Sequence, residues 1–392
     1  MLPLLLCLCL ALRSAAGQAP PRCSLNGAST GPATCACDPG WAGAECRSLA
    51  LLPAPPLTPA AQTHINASDN SWGISVLPDD SGTLFHGFMT ELENGCALST
   101  YSESSRIVHL TAPSLAGPWT REGVALPALA HNPQAVRDVD GAWLLFHIGA
   151  SFPAGCSIAC APGKPPVVAN ASCYAHVSKG ISVARATSPY GPWQRLPYFI
   201  PGNPANVTNP SALVLKNGTI LLTARRWTGG APFWSAPAWD GPYAFLGWAP
   251  VVPVPAPAAG AAAAVAPADA SFDEDSFLYT DARGGYHMLT HRQPLGTNCP
   301  PAGADASDCR CGGGHMFAEA PMGPWFLDLQ LVFNCTLEVQ GSAAPVKLHA
   351  RQRPTLTFHA GGSRCFTLFT GASVDPVSQY YSSITIRQEV SC

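Results

Sequence analysis

The sequence predicts an all-β protein: a five-bladed β-propeller preceded by a small disulfide-stapled module. Three observations lead there. An apolar strand, a turn and a second apolar strand recur five times. A strand ending in Ala, followed after a short polar stretch by Gly-Pro-aromatic, recurs four times. The 392 residues include 36 Gly and 40 Pro but only 11% charged residues. Ordinary soluble chains carry about 25% charge, and many short strands joined by tight turns use residues in the present way. No sustained helical period runs between the repeats.

Residues 1–17 contain an apolar run from Leu2 to Leu12, no acidic group, and Arg13 followed by Ala15, Ala16 and Gly17. That pattern is a secretory signal peptide cut near Gly17. Further on, the stretch from Pro250 to Ala268 is interrupted by Pro253, Pro255, Pro257, Gly260 and Pro267, so no membrane span is expected. The chain therefore reads as a secreted, extracellular protein. It has 16 cysteines, and loss of Cys7 and Cys9 with the signal leaves an even set. In an oxidising compartment these read as a disulfide framework. Sequons at Asn66, Asn170, Asn206, Asn217 and Asn334 mark glycosylation acceptors on exposed loops. A formal net charge of -3 supplies no basic field, and nucleic acid is not an expected partner.

Residues 18–47 contain Cys23-Ser-Leu-Asn-Gly and then Cys35-Ala-Cys37-Asp-Pro-Gly40-Trp41-Ala-Gly43-Ala-Glu-Cys46. Gly40 and Gly43 permit a tight hairpin, and Trp41 covers a disulfide in a unit too small to own a core. The segment resembles an EGF-like domain in which one of the three usual bridges is missing. That resemblance implies the bridges Cys23–Cys35 and Cys37–Cys46 and an adhesion role toward an extracellular protein. Gly27 to Gly31 also matches a nucleophile elbow around Ser29, without the preceding strand and following helix that make an elbow work. Reduction is expected to loosen the module while the propeller stays folded. Residues 48–63, rich in Ala, Pro and Leu, read as a linker.

The propeller is assigned to residues 64–392. Its five blade starts are Trp72-Gly-Ile-Ser-Val, Asn132-Pro-Gln-Ala-Val, Asn209-Pro-Ser-Ala-Leu, Asp275-Ser-Phe-Leu-Tyr and Arg353-Pro-Thr-Leu-Thr. Their spacing leaves room for a four-stranded antiparallel sheet each, with Asp140-Gly141, Asn217-Gly218 and Gly284-Gly285 supplying hairpin turns. The second phrase ends in Gly117-Pro118-Trp119, Gly191-Pro192-Trp193, Gly241-Pro242-Tyr243 and Gly323-Pro324-Trp325. A two-sheet sandwich would not account for a fivefold phrase. From Ser71 to Cys392 these phrases resemble the five-bladed propellers of glycoside hydrolase family 43 and the related arabinanase, levansucrase and invertase groups.

In such a ring the starts of the innermost strands converge on one mouth of an axial tunnel. The candidates there are Trp72, His131, Asn132, Thr208, Asn209, Asp273, Glu274, Asp275, Arg351 and Arg353. Aromatic, amide, imidazole, carboxylate and guanidinium groups together suit a sugar, which offers an apolar face and several hydroxyls. Trp72, Asn132, Asn209 and Arg353 are expected to bind it. Arg353 has two readings, a ligand clamp or an ion pair with the acids of blade four.

Hydrolysis of a glycoside needs an acid and a second carboxylate across the scissile bond. The family resemblance implies two aspartates and a glutamate from the first three blades, but Trp72-Gly73, Asn132 and Asn209 stand near those places. The candidate catalytic residues are therefore Asp275 as carboxylate, with Glu91 or His131 as proton donor. Some relatives hold calcium near the axis, but no ligands for it are assigned here, and no other cofactor is expected. Cys309, Cys311 and His315 admit a zinc reading, as do Cys156 and Cys160, with disulfides favoured. Two functions follow: a glycosidase acting on a cell-wall or extracellular polysaccharide, or a propeller that binds glycan or protein without catalysis.

Overall fold

The computed structural model describes residues 19–32, 34–62, 70–149, 158–160, 167–168, 180–197, 200, 207–226, 231–254, 270–294, 312–359, 365–373 and 383–392. The expected signal peptide at residues 1–17, the sequons at Asn66, Asn170 and Asn206, and Cys156, Cys173, Cys299, Cys309 and Cys311 lie outside them. Among the described residues no helix is long and apolar enough to cross a membrane.

Five antiparallel sheets follow one another in chain order. Blade one is built from Asn70–Pro78, Phe85–Leu92, Ser105–Ala112 and Thr120–Leu126. Blade two contains His131–Arg137, Trp143–Ile148, Ile181–Ala186 and Gln194–Leu196, and blade three Val207–Val214, Ile220–Arg226, Ala231–Ala236 and Ala244–Ala249. Blade four contains Ala270–Thr280, Tyr286–Pro294, Gly313–Ala318 and Trp325–Phe333, with Val251–Val254 added in parallel at its outer edge. Blade five has three strands, Ala350–Phe358, Phe366–Ser373 and Ser383–Glu389.

The innermost strands carry polar residues because neighbouring blades do not share a ladder there, so side chains satisfy the backbone instead. Ser75 Oγ accepts from the Ala135 amide at 2.9 Å, and Ser211 Oγ from Leu278 at 2.7 Å. Gln134 Oε1 accepts from Ala212, while Thr355 Oγ1 donates to the Ile74 carbonyl at 2.6 Å.

Farther out, the aromatic of each Gly-Pro phrase packs against the preceding blade. Trp119 meets Phe369 at 6.3 Å between ring centroids, Trp193 meets Phe88 at 5.5 Å, and Trp325 stacks on Phe233 at 5.8 Å. Tyr243 enters the core of blade two beside Leu144 and Phe146.

Blade five lacks this phrase, and the N-terminal segment takes its place. Leu51 bridges to Val390, the Leu52 amide donates to the Glu389 carbonyl, and the Ser391 amide donates to Ala50, so residues 50–52 cover the outer edge of blade five. Just before them Trp41 packs on His315 of blade four and near Phe366 of blade five. Gly40 is pressed against the Phe366 ring, where an added Cβ would come within 2.6 Å of Cε1. The disulfide-rich segment therefore shares a core with blades four and five, through Cys23, Trp41, Cys46 and Leu49 with Val332, Phe333 and Leu368.

Polar ties reinforce it: Arg283 pairs with Asp38, and Arg47 Nε lies 3.5 Å from Asp328. Residues 48–63, expected as a linker, are docked at least through Gln62. Ala54 is fully buried, and the Gln62 side chain bonds the Pro55 carbonyl and the Arg387 amide.

The bridges Cys23–Cys35 and Cys37–Cys46 are both formed. Cys96–Cys160 and Cys365–Cys392 accompany them, so Cys160 belongs to a disulfide, not to a zinc site. His315, the other residue in the zinc reading, is buried between His287 and Trp41. Asn217 and Asn334 are both exposed.

Candidate functional site

Each innermost strand breaks its ladder with a bulge at the same place, and the residue there turns to positive φ. The five are Gly73 (φ 67), Asn132 (φ 51), Asn209 (φ 53), Asp275 (φ 55) and Arg353 (φ 54). Gly, Asn and Asp adopt this conformation at low cost, whereas a long side chain does not. Asn132, Asn209 and Arg353 also precede prolines, which push the preceding residue toward extended backbone. The surrounding fold therefore holds these residues in place, and outliers so held cluster at functional sites. Blade starts read from the sequence as a repeat are, in three dimensions, one ring of positive-φ positions.

The four side chains of this ring join. Asn132 Nδ2 donates to Asn209 Oδ1 at 3.1 Å, and Asn209 Nδ2 reaches Glu274 Oε1 at 3.5 Å. The Arg353 amide donates to Asp275 Oδ2 at 3.2 Å, its Nη1 lies 3.9 Å from Asp275 Oδ1, and its Nη2 donates to the Asn132 carbonyl at 2.9 Å. Gly73 makes room for this guanidinium: a Cβ there would sit 2.6 Å from Arg353 Cγ.

Two residues not singled out from the sequence complete the cluster. Arg225 pairs with Glu274, and His291 Nδ1 lies 3.4 Å from Glu274 Oε2 and 3.6 Å from Asp275 Oδ2. Both come from second strands, opposite Thr208 and Glu274 respectively. Burial, then the Glu274 charge, push the Asp275 carboxyl up, against the pull of Arg353, His291 and Arg225. Arg353 is itself pushed down by burial, with Asp275 and Glu274 holding it up. Of the two readings of Arg353, the ion pair with blade four is present.

The remaining candidates lie elsewhere. Glu91 is fully buried, clamped by Arg106 Nε at 2.6 Å and by Arg121 Nε and Nη2 at 3.1 Å. It ties three strands of blade one together, and among the described residues no hydrogen bond or ion pair joins it to the axial ring. His131 packs at a tilt against Tyr101, ring centroids 4.6 Å apart, and bonds Ser105 Oγ at 2.8 Å. Burial, then Arg353, push its pKa down to about 3, so at neutral pH it has no imidazolium proton to give a leaving group. Trp72 is packed against Gly371 and Ala350, which turns its ring into core. Arg351 is buried on Gln388, Thr370 and the Asn334 carbonyl. The side chain of Asp273 lies outside the described residues.

A cation at the axis would need several converging oxygens free of positive neighbours. Asp275 and Glu274 each already face an arginine. Among the described residues the one close set of three metal-type donors is Cys23, Cys35 and Glu45, whose thiols form a disulfide. The axial donors thus do not fit a resident calcium.

No protein-family model and no curated protein matches the chain. Solved structures do. The GH43_1 enzyme from Xanthomonas citri aligns over 86% of this chain and 90% of its own, at 13% identity and a TM-score of 0.50. An endo-arabinase from Bacteroides thetaiotaomicron aligns over 83% and 96%, at 16% identity and a TM-score of 0.46. A putative exo-beta-1,3-galactanase from Bifidobacterium bifidum aligns over 80% and 85%, at 10% identity and a TM-score of 0.47. The protein has the five-bladed propeller fold of the family 43 glycoside hydrolases.

Proposed function

We propose that this is a secreted, glycosidase-like propeller whose axial ring binds a saccharide unit of an extracellular polysaccharide without hydrolysing it. One observation carries the reading: the five positive-φ positions hold a single carboxylate, Asp275, and that carboxylate is engaged by Arg353. Glycosidases need two carboxyl groups several ångströms apart across the sugar. Here Glu274 and Asp275 are adjacent in one strand, and Glu91 is held by two arginines. Asn132, Asn209 and His291 supply the donors and acceptors that sugar hydroxyls use.

A hydrolytic reading has one observation in its favour. Asp275, pushed up by burial, has the character of a proton donor. The test separates the two. Wild type and Asp275→Asn are presented with arabinan, xylan, galactan and aryl glycosides, and retention and released sugar are both measured. Binding by wild type without product supports the proposal. Release of sugar by wild type that Asp275→Asn abolishes would establish hydrolysis instead.

A further inference from the structure

On the face away from the axial ring, at the far ends of the innermost strands, a cleft of about 570 Å³ lies between blades one and two. Its lining includes His86, Arg137, Asp140, Trp143, Arg185 and Tyr190. We propose that this cleft is a second saccharide-binding site, distinct from the axial ring and independent of what that ring does.

The floor is a paired imidazole. His86 and His109 stack at 5.2 Å, and His86 Nδ1 is 2.9 Å from His109 Nε2. His86 is almost fully buried as a residue and borders the cleft.

Blade four repeats this construction. His287 and His315 stack at 5.3 Å, with Nδ1 and Nε2 3.0 Å apart. There the pair is covered: Trp41 packs on His315 at 4.8 Å, and the Asn26 amide reaches His315 Nδ1 at 3.5 Å. On blade one Tyr190 approaches His109 and His86 edge-on at 4.9 and 5.7 Å, and 60% of Tyr190 remains exposed. The blade-four pair is thus capped by an aromatic and an amide of the same chain, whereas the blade-one pair opens on a cleft beside an exposed aromatic.

The walls select the class of ligand. Arg137 lies over the Trp143 ring at 4.4 Å and bonds Asp80 at 2.7 Å, while Arg185 pairs with Asp140. The lining sets Asp79, Asp80 and Asp140 against Arg137 and Arg185, so two carboxylates are paired and the single remaining negative charge gives no cationic field to hold an anion. The cleft offers donors, acceptors and an exposed ring within a volume typical of ligand sites. A neutral, hydroxyl-rich sugar stacked on Tyr190 uses all of these.

The experiment is affinity electrophoresis of the full exported chain through gels containing arabinan, xylan or galactan, with wild type, Tyr190→Ala, Tyr190→Phe, Asp140→Ala and Asp275→Asn. Thermal unfolding of each variant is followed in parallel. Loss of one stacking contact weakens binding roughly tenfold. Tyr190→Ala and Asp140→Ala are therefore expected to lose retardation by about that factor, with Tyr190→Phe largely retaining it. Asp140 is more than half exposed, so its variant reads binding even if removal of Tyr190 disturbs the imidazole pair. Three results would overturn the proposal: equal retardation of wild type and both cleft variants, retardation lost only in Asp275→Asn, or no retardation of wild type in any gel. Binding at Tyr190 that peptides displace and sugars do not would also overturn it, in favour of a protein partner.

Discussion

Trp41 of the N-terminal segment lies on His315 of blade four, ring centroids 4.8 Å apart, as Trp325 lies on Phe233 one blade earlier. It occupies the place that the Gly-Pro-aromatic phrase fills in the other four blades. A buried Trp replaced by Ala costs roughly 3 to 5 kcal/mol. Trp41→Ala is expected to destabilise the whole propeller by about 3 kcal/mol, at the lower end of that range because the residue is at the surface of its cluster. Urea denaturation followed by far-UV circular dichroism checks this. An unchanged midpoint would mean that the segment hangs free.

The same continuity reverses the expectation for reduction. Cys23 and Cys46 sit in one core with Leu368 and Phe366, so opening Cys23–Cys35 and Cys37–Cys46 should loosen blades four and five as well. Replacing all four cysteines by Ser should lower the thermal midpoint of the propeller itself, read by hydrogen exchange in 366–373. Protection there equal to wild type contradicts this.

Glu91→Ala strands Arg106 and Arg121, which are partly exposed and can turn to water. Loss of charge-assisted bonds of this kind costs about 2 kcal/mol. Stability should fall by that amount while retention on polysaccharide at saturating temperature margins stays unchanged. Loss of binding with no loss of stability would return Glu91 to the site.

Acid should weaken the fold before it reaches the carboxylates. Burial pushes His109 down to about 4 and His131 and His147 down to about 3, from an ordinary 6.5. Below the ordinary value the unfolded chain takes up protons that the folded chain refuses, so stability falls with pH until the folded values are reached. Each such histidine contributes about 1.4 kcal/mol per pH unit across that window. Asp275, pushed up, acts in the opposite sense and offsets part of the loss. Unfolding free energies from urea titration at about pH 7 and about pH 5 should differ by several kcal/mol; equal values would show that these imidazoles are hydrated.

Gly73→Ala sets a methyl against Arg353 Cγ and places a non-glycine at φ 67. The backbone term alone costs about 1 to 2 kcal/mol. Displacement of Arg353 should also weaken axial sugar retention, whereas Gly141→Ala, whose Cβ would meet only Arg137 at 3.7 Å, should spare it.

Much of this was legible in the residues because the propeller repeats. Asn132-Pro, Asn209-Pro and Arg353-Pro announced equivalent blade starts, and those starts do meet at one ring. What the repeat could not show was pairing across strands. Glu91 looked available because Arg106 and Arg121 come from the third and fourth strands, and their register depends on bulges at 107/108 and 109/110. Arg225 and His291 were missed for a related reason, although counting back from Asn217-Gly218 and Gly284-Gly285 places them beside Thr208 and Glu274. Trp72 read as an open aromatic because nothing in its own strand reveals that Gly371 of blade five lies under its ring.

The pairing of residues 50–52 with 389–391 also has a consequence in time. A chain made from its N-terminus produces the outer edge of blade five first and the strand that receives it last. Until Ser383–Glu389 emerges, Leu51 has no ladder to join, and Trp41 waits exposed for blades four and five. Blades one to three are built from contacts of short sequence separation, whereas closure joins residues more than three hundred positions apart, the class of contact that costs most loop entropy to form. Any interruption near the C-terminus would therefore release the first-made segment along with the last.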